Sequence, residues 1–138
     1  NEMKEEVSAG IILFNEIKDK EFLLLNYPSK HWDFVKGKME KDETPLETAL
    51  RETKEETGIS DVEFIDGFKE EIEYNFYADN QEIHKKVIFF LGKTKTIDII
   101  LSHEHLDFIW LDFNNALEKI TYKNAKNLLK KSRNFLDN

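Results

Sequence analysis

The sequence contains no cysteine, which excludes a disulfide framework, a thiolate nucleophile and a Cys-based zinc site. Proline occurs only at Pro28 and Pro45, and no Ser/Gly/Pro-rich linker, low-complexity tract or internal repeat divides the chain. Apolar runs such as Val87-Ile88-Phe89-Phe90-Leu91 are far too short to cross a bilayer. The first residues, with Glu2, Lys4, Glu5 and Glu6, lack a signal-peptide pattern. The expected location is therefore the cytoplasm, with no membrane partner. Positive charge is also in short supply, and the net charge is −8. An acidic surface repels nucleic-acid backbones, so no stable nucleic-acid partner is expected. A polyphosphate substrate is still compatible, because divalent cations and a few placed lysines invert the local field.

What is present is enough for one globular domain, residues 1–138, with 40% hydrophobic residues to build its core. Val7 to Phe14 reads as a buried strand and Phe22 to Leu25 as a second, with a short third candidate over His31 to Val35. Lys36 to Glu43 is charged and aperiodic, and reads as a loop. A helix follows, with Thr44 as N-cap, Pro45 at the first helical position, Glu47 completing a capping box and Gly58 closing it. Leu46, Ala49, Leu50, Thr53 and Thr57 recur at helical spacing and predict its buried stripe. Phe64 to Tyr77 and Glu82 to Thr96 form two longer strands around a turn over Ala78 to Gln81. A strand over Leu106 to Trp110, a short helix over Asn114 to Ile120 and an amphipathic helix over Asn124 to Leu136 complete the chain. This order predicts a mixed β-sheet between helical layers.

On the first helix, Glu52, Glu55 and Glu56 span an arc of about 100° beside the predicted stripe. Glu52 and Glu56 are a like-charge i,i+4 pair, costing roughly 0.2–0.5 kcal/mol. Glu47 has a partner in Arg51 at i+4, whereas the triplet has none. Hard oxygen donors without His or Cys suit Mg²⁺, or Mn²⁺ as a substitute, better than zinc. Taken alone, the triplet reads as a solvated acidic face. The surrounding spacing decides against that. Gly37, Glu43, Arg51, Glu52, Glu55, Glu56, Gly58 and Ile59 stand at fixed intervals that resemble the Nudix box. Thr53 alone departs, where an aliphatic residue is the rule.

The resemblance implies the Nudix fold, an α+β architecture (an α/β/α sandwich) with the box as loop-helix-loop. It also implies a metal-dependent pyrophosphohydrolase, with Gly37, Glu52, Glu55 and Glu56 at the metals and Arg51 as a scaffold. Outside the box, Ser8-Ala9-Gly10-Ile11-Ile12, His31-Trp32, Gly67-Phe68-Lys69, Tyr74 and Ser102-His103-Glu104-His105 with Trp110-Leu111 are similar to asymmetric diadenosine tetraphosphate hydrolases of that family. That similarity implies cleavage of a dinucleoside polyphosphate into ATP and AMP, with Glu104 as a further metal-binding or catalytic glutamate. His103 and His105 are expected to orient Glu104. His31, Lys36 and one of Lys85 or Lys86 are candidates to hold the phosphate chain, and Tyr74 and Tyr122 to stack on adenine. Burial in the core is the rival reading for Tyr122. The basic C-terminal stretch reads as a solvated helix face. Another nucleotide substrate, such as a 5′-triphosphorylated RNA end or a nucleoside triphosphate, and a non-catalytic nucleotide sensor are the alternative functions.

Overall fold

The structure is a computed structural model and describes residues 3–138, so Glu2 of the charged start lies outside the described residues. Strand β1 (Lys4–Asn15) is its organising element. Ile12 and Phe14 point into one core, Ile11 and Leu13 into the other. A strand covered on both faces carries a continuous apolar run rather than an alternation. Along one edge β1 pairs in parallel with β6 (Gln81–Lys93), and β5 (Glu63–Ala78) pairs antiparallel outside β6. Asp79 and Asn80 join these two strands with φ values of 52° and 61°, the left-handed pair that a two-residue hairpin turn requires.

The other edge of β1 shapes the site. Strand β2 (Glu21–Asn26) pairs with β1 only at Phe14↔Phe22 and Asn15↔Glu21, and then the two diverge. The chain itself fills the opening. Strand β3 (Trp32–Asp33) pairs with β2; after Phe34, β4 (Val35–Lys38) pairs with β1. Strand β7 (Asp107–Leu111) closes the far side of β2, giving, among the described residues, a seven-stranded mixed sheet. Helix α1 (Pro45–Thr57) lies over the face that carries Ile11, Leu13 and Val35. Helices α2 (Phe113–Lys119) and α3 (Lys123–Asp137) cover the other face through Ala116, Ala125, Leu128 and Leu129. The expected mixed sheet between helical layers is what forms.

Two local expectations need correction. Lys36 to Lys38 is strand rather than loop, because its backbone is taken up in the ladder with Ser8, Ala9 and Gly10. On α1, Leu46 and Leu50 are exposed, while Thr48, Ala49, Thr53, Glu56 and Thr57 are buried. Thr53 and Thr57 satisfy their hydroxyls on the carbonyls of Ala49 and Thr53, which lets polar residues line a buried helix face.

Gly10 sits where β4 and the Phe89 ring press on β1. A Cβ there would lie 2.3 Å from the Val35 carbonyl oxygen and 2.8 Å from Lys36 Cβ. Backbone cannot yield as a side-chain tip can, so Gly10→Ala should destabilise the protein by about 1–3 kcal/mol. Urea denaturation checks this, and an unchanged midpoint would contradict the close approach.

Candidate active site

Local chemistry fixes the ends of α1. The Thr44 side chain accepts from the Glu47 amide at 3.2 Å, and Glu47 Oε1 accepts from the Thr44 amide at 2.8 Å. Gly58 closes the helix at φ 79°. Glu47 is thus spent on the cap, and Arg51 turns elsewhere. Its Nε and Nη2 donate to the two oxygens of Glu43 at 2.6 and 3.0 Å, and Nη2 also donates to the Lys38 carbonyl at 3.0 Å. Its Nη1 donates to Glu52 at 2.9 Å and to Glu55 at 3.2 Å. The triplet is therefore not without a partner, as its spacing had implied. Hydrogen bonds from Arg51 hold the Glu43 carboxyl down to about 2.

Glu52 lies directly over β4. A Cβ on Gly37 would fall 2.0 Å from the Glu52 carboxyl carbon. Gly37 is extended backbone, so what calls for glycine here is room for that carboxylate and not a positive φ. Glu56 is buried, although its helical projection puts it beside the predicted stripe and not within it. One oxygen lies 2.8 Å from His105 Nε2, and the other is buried with no hydrogen-bond partner among the described residues. Burial, reinforced by Glu52, Glu104 and Glu55, pushes the Glu56 carboxyl well above its ordinary range. Among the described residues no three acidic or histidine side chains converge on one point as they stand. Even so, an orphaned carboxylate oxygen among other hard oxygen donors fits a divalent cation.

A cleft of about 730 Å³ opens beside these carboxylates, lined by Tyr27, His31, Asp33, Lys36, Ile72, Tyr74, Tyr122, Lys123, Asn124 and Asn127. The size suits a nucleotide-scale ligand. Tyr27 stacks on His31 at 4.8 Å and meets His105 edge-on at 4.7 Å, so it separates the cleft from Glu56. Burial, then the charges of Glu56 and Asp33, raise its phenol well above the ordinary range. Lys36 is 3.1 Å from Asp33. Burial alone would lower the lysine, but Asp33, Tyr74 and Tyr122 together outweigh it and the net shift is upward, so the cation persists.

The NUDIX domain model matches residues 4–132. The chain belongs to the Nudix family. It is 39% identical to the Mus musculus asymmetrical bis(5'-nucleosyl)-tetraphosphatase over 84% of this chain and 80% of that one. It is 32% identical to the Caenorhabditis elegans protein of the same name, over 94% and 95%. Among solved structures, a C. elegans Ap4A hydrolase binary complex superposes with a TM-score of 0.80 at 29% identity, covering 96% of this chain and 98% of that one. Nudix enzymes are in general dependent on divalent metal.

On this Nudix chain the predicted residues divide into two adjacent groups. Glu52, Glu55 and Glu56 sit on α1 over Gly37, with Glu104 close enough for its charge to act on Glu56. His31, Lys36, Tyr74 and Tyr122 line the cleft, and Tyr122 is 51% exposed, which rules out the buried reading. Lys85 and Lys86 do not line it. Lys85 is buried against Glu6 at 3.2 Å, and Lys86 points from the opposite sheet face toward Glu71. His105 contacts Glu56, not Glu104 as expected, and His103 is exposed. Sequence reasoning missed Tyr27, Asp33, Asn124 and Asn127. Only Asp33 had a signal, an acid three residues before Lys36. Lys123, Asn124 and Asn127 also correct the reading of the last helix, whose first turns face the cleft as well as solvent.

Two outcomes follow from the Arg51 and Gly37 geometry. Glu43 is lowered from 4.5 to about 2 on folding, so its stabilisation is complete above the upper value and lost as pH falls toward the lower one. The stability difference between wild type and Glu43→Gln, from denaturation at several pH values, should shrink across that window. A constant difference would contradict the clamp. Gly37→Ala should fold, since the tip of Glu52 can swing aside, yet lose most of kcat. Wild-type kcat in that variant would show that Glu52 needs no such seat.

Proposed function

We propose that this chain hydrolyses dinucleoside polyphosphates, with diadenosine tetraphosphate giving ATP and AMP. The observation that carries the reading is the adjacency of an aromatic, lysine-bearing cleft to a buried carboxylate with an unpartnered oxygen, with Tyr27 standing between them. The names of the mouse and worm relatives support it.

In this reading Tyr74 and Tyr122 receive one adenine on their ring faces. Lys36, held by Asp33, and His31 take the phosphates that lead out of the cleft toward α1. Glu52, Glu55, Glu56, Glu104 and the Gly37 backbone would hold the divalent cations. The chemistry supplied by bound Mg²⁺, or Mn²⁺ in its place, is neutralisation of phosphate charge and a lowered pKa for the attacking water. Arg51 keeps Glu52 and Glu55 in place, and one glutamate of the set accepts the proton from water. Lys36 adds a fixed positive charge where negative charge develops. Because the base is anchored at a set distance from the carboxylates, attack falls on one phosphate of the chain and not at its centre.

The test is turnover of diadenosine tetraphosphate with Mg²⁺ in ¹⁸O-labelled water, with products separated by chromatography. AMP and ATP should appear with the label in only one of them, and EDTA should abolish turnover. Glu56→Gln should lower kcat by roughly two orders of magnitude or more while KM changes little. ADP as the primary product, or turnover undiminished in EDTA, would overturn the reading.

A further inference from the structure

Residues 97–106, which precede β7, lie against the C-terminal end of α1. The Ile100 amide donates to the Thr57 carbonyl at 3.0 Å, and the Ser102 amide to the Glu56 carbonyl at 3.3 Å. This brings His105 onto Glu56, with 3% of the His105 side chain and 5% of the Glu56 side chain exposed. The imidazole is held on every side. Its Nε2 is 2.8 Å from Glu56 Oε1, and its Nδ1 is 3.2 Å from Ser102 Oγ. The same hydroxyl oxygen accepts from the Glu104 amide at 3.4 Å. The Tyr27 ring meets the imidazole at 74°.

We propose that His105 is a positioning residue for Glu56. The Ser102 hydroxyl donates to Nδ1, which leaves Nε2–H to donate to Glu56 Oε1 and presents Oε2 as the ligand atom. The two oxygens of one buried carboxylate thereby have different tasks. Any buried imidazole needs a partner for its N–H. Here it occupies one oxygen of a carboxylate whose other oxygen is buried and unpartnered. Outer partners of this kind fix the orientation of a metal ligand. Ser102 also gives Glu104 a backbone tether, so one hydroxyl sets the histidine and steadies the turn that carries the fourth glutamate. His105 touches neither the cleft nor a reacting atom, so its action passes through Glu56.

This inference rests on Glu56 being a cation ligand, and the experiment separates the two. Mn²⁺ affinity is measured by electron paramagnetic resonance on nucleotide-free protein, with kcat and KM alongside. His105→Phe keeps the ring and its contact with Tyr27 but removes the donor. It should weaken Mn²⁺ binding by about 10- to 100-fold, with a matching loss in kcat and an unchanged KM. His105→Gln keeps an N–H donor and should restore most of both. In ¹⁵N spectra of the Mg²⁺-loaded wild type, His105 should be the Nε2–H tautomer, a readout that stands even where His105→Phe does not fold. Unchanged Mn²⁺ affinity in His105→Phe, no recovery in His105→Gln, or the Nδ1–H tautomer would overturn the positioning role alone. A wild type that binds no Mn²⁺ would overturn the cation reading and this inference together.

Discussion

Arg51 ties together parts of the chain that its own helix could not otherwise reach. One face of its guanidinium is paired with both oxygens of Glu43, and another donor reaches the Lys38 carbonyl. The remaining donor holds Glu52 and Glu55. The end of β4, the charged segment after it and the middle of α1 are therefore joined through one planar cation. The bidentate geometry matters, because a lysine would offer a point charge without the fixed directions. Glu43 serves in turn as a hub, accepting also from the Thr48 hydroxyl and the Glu40 amide. With that anchor in place, Glu52 comes down over Gly37, where no side chain stands in its way.

The divergence of β1 and β2 supplies the rest. Once these strands part, the chain passes from β2 to β1 within a few residues, through β3, Phe34 and β4. The switch puts Asp33 and Lys36 at the cleft, while Gly37 lies beneath α1. Residues one apart on a strand face opposite sides, so one short strand serves the carboxylates and the cleft together. Tyr27 packs into this switch with its hydroxyl on the Phe34 carbonyl. The buried Glu56 then has meaning as part of a site. A carboxyl with an oxygen left unpartnered would be costly as mere structure.

The features legible in the sequence were those set by nearby residues. Thr44 and Glu47 cap one end of α1 and Gly58 closes the other on the nearby Lys54 carbonyl, so the limits of α1 followed from local cap chemistry. The spacing of Gly37, Glu43, Arg51 and the three glutamates pointed to the family, and the order of strands and helices had already pointed to a sheet between helical layers. The features that were not legible depend on what covers a residue from far along the chain. A helical projection places Glu56 beside the stripe but cannot show that residues 97–106 lie over it. Lys36 and Lys85 look alike as letters, yet one meets Asp33 in the cleft and the other is buried against Glu6. Tyr27, next to Pro28, carries no local mark of its place between two aromatic contacts. Gly37 read from sequence as a residue at the metals, but that it makes room for the Glu52 carboxylate depends on how α1 lies over β4.

The central claim is that the carboxylates of α1 and the aromatic cleft form one site. A crystal structure with Mn²⁺ and a non-hydrolysable diadenosine tetraphosphate analogue tests it most directly, because anomalous scattering locates the metal independently of the nucleotide. The account predicts Mn²⁺ against Glu52 and Glu56 beside Gly37, an adenine between Tyr74 and Tyr122, and phosphates passing Lys36 on the way from one to the other. Mn²⁺ bound away from α1, or a base seated outside the cleft with Lys36 untouched, would contradict it.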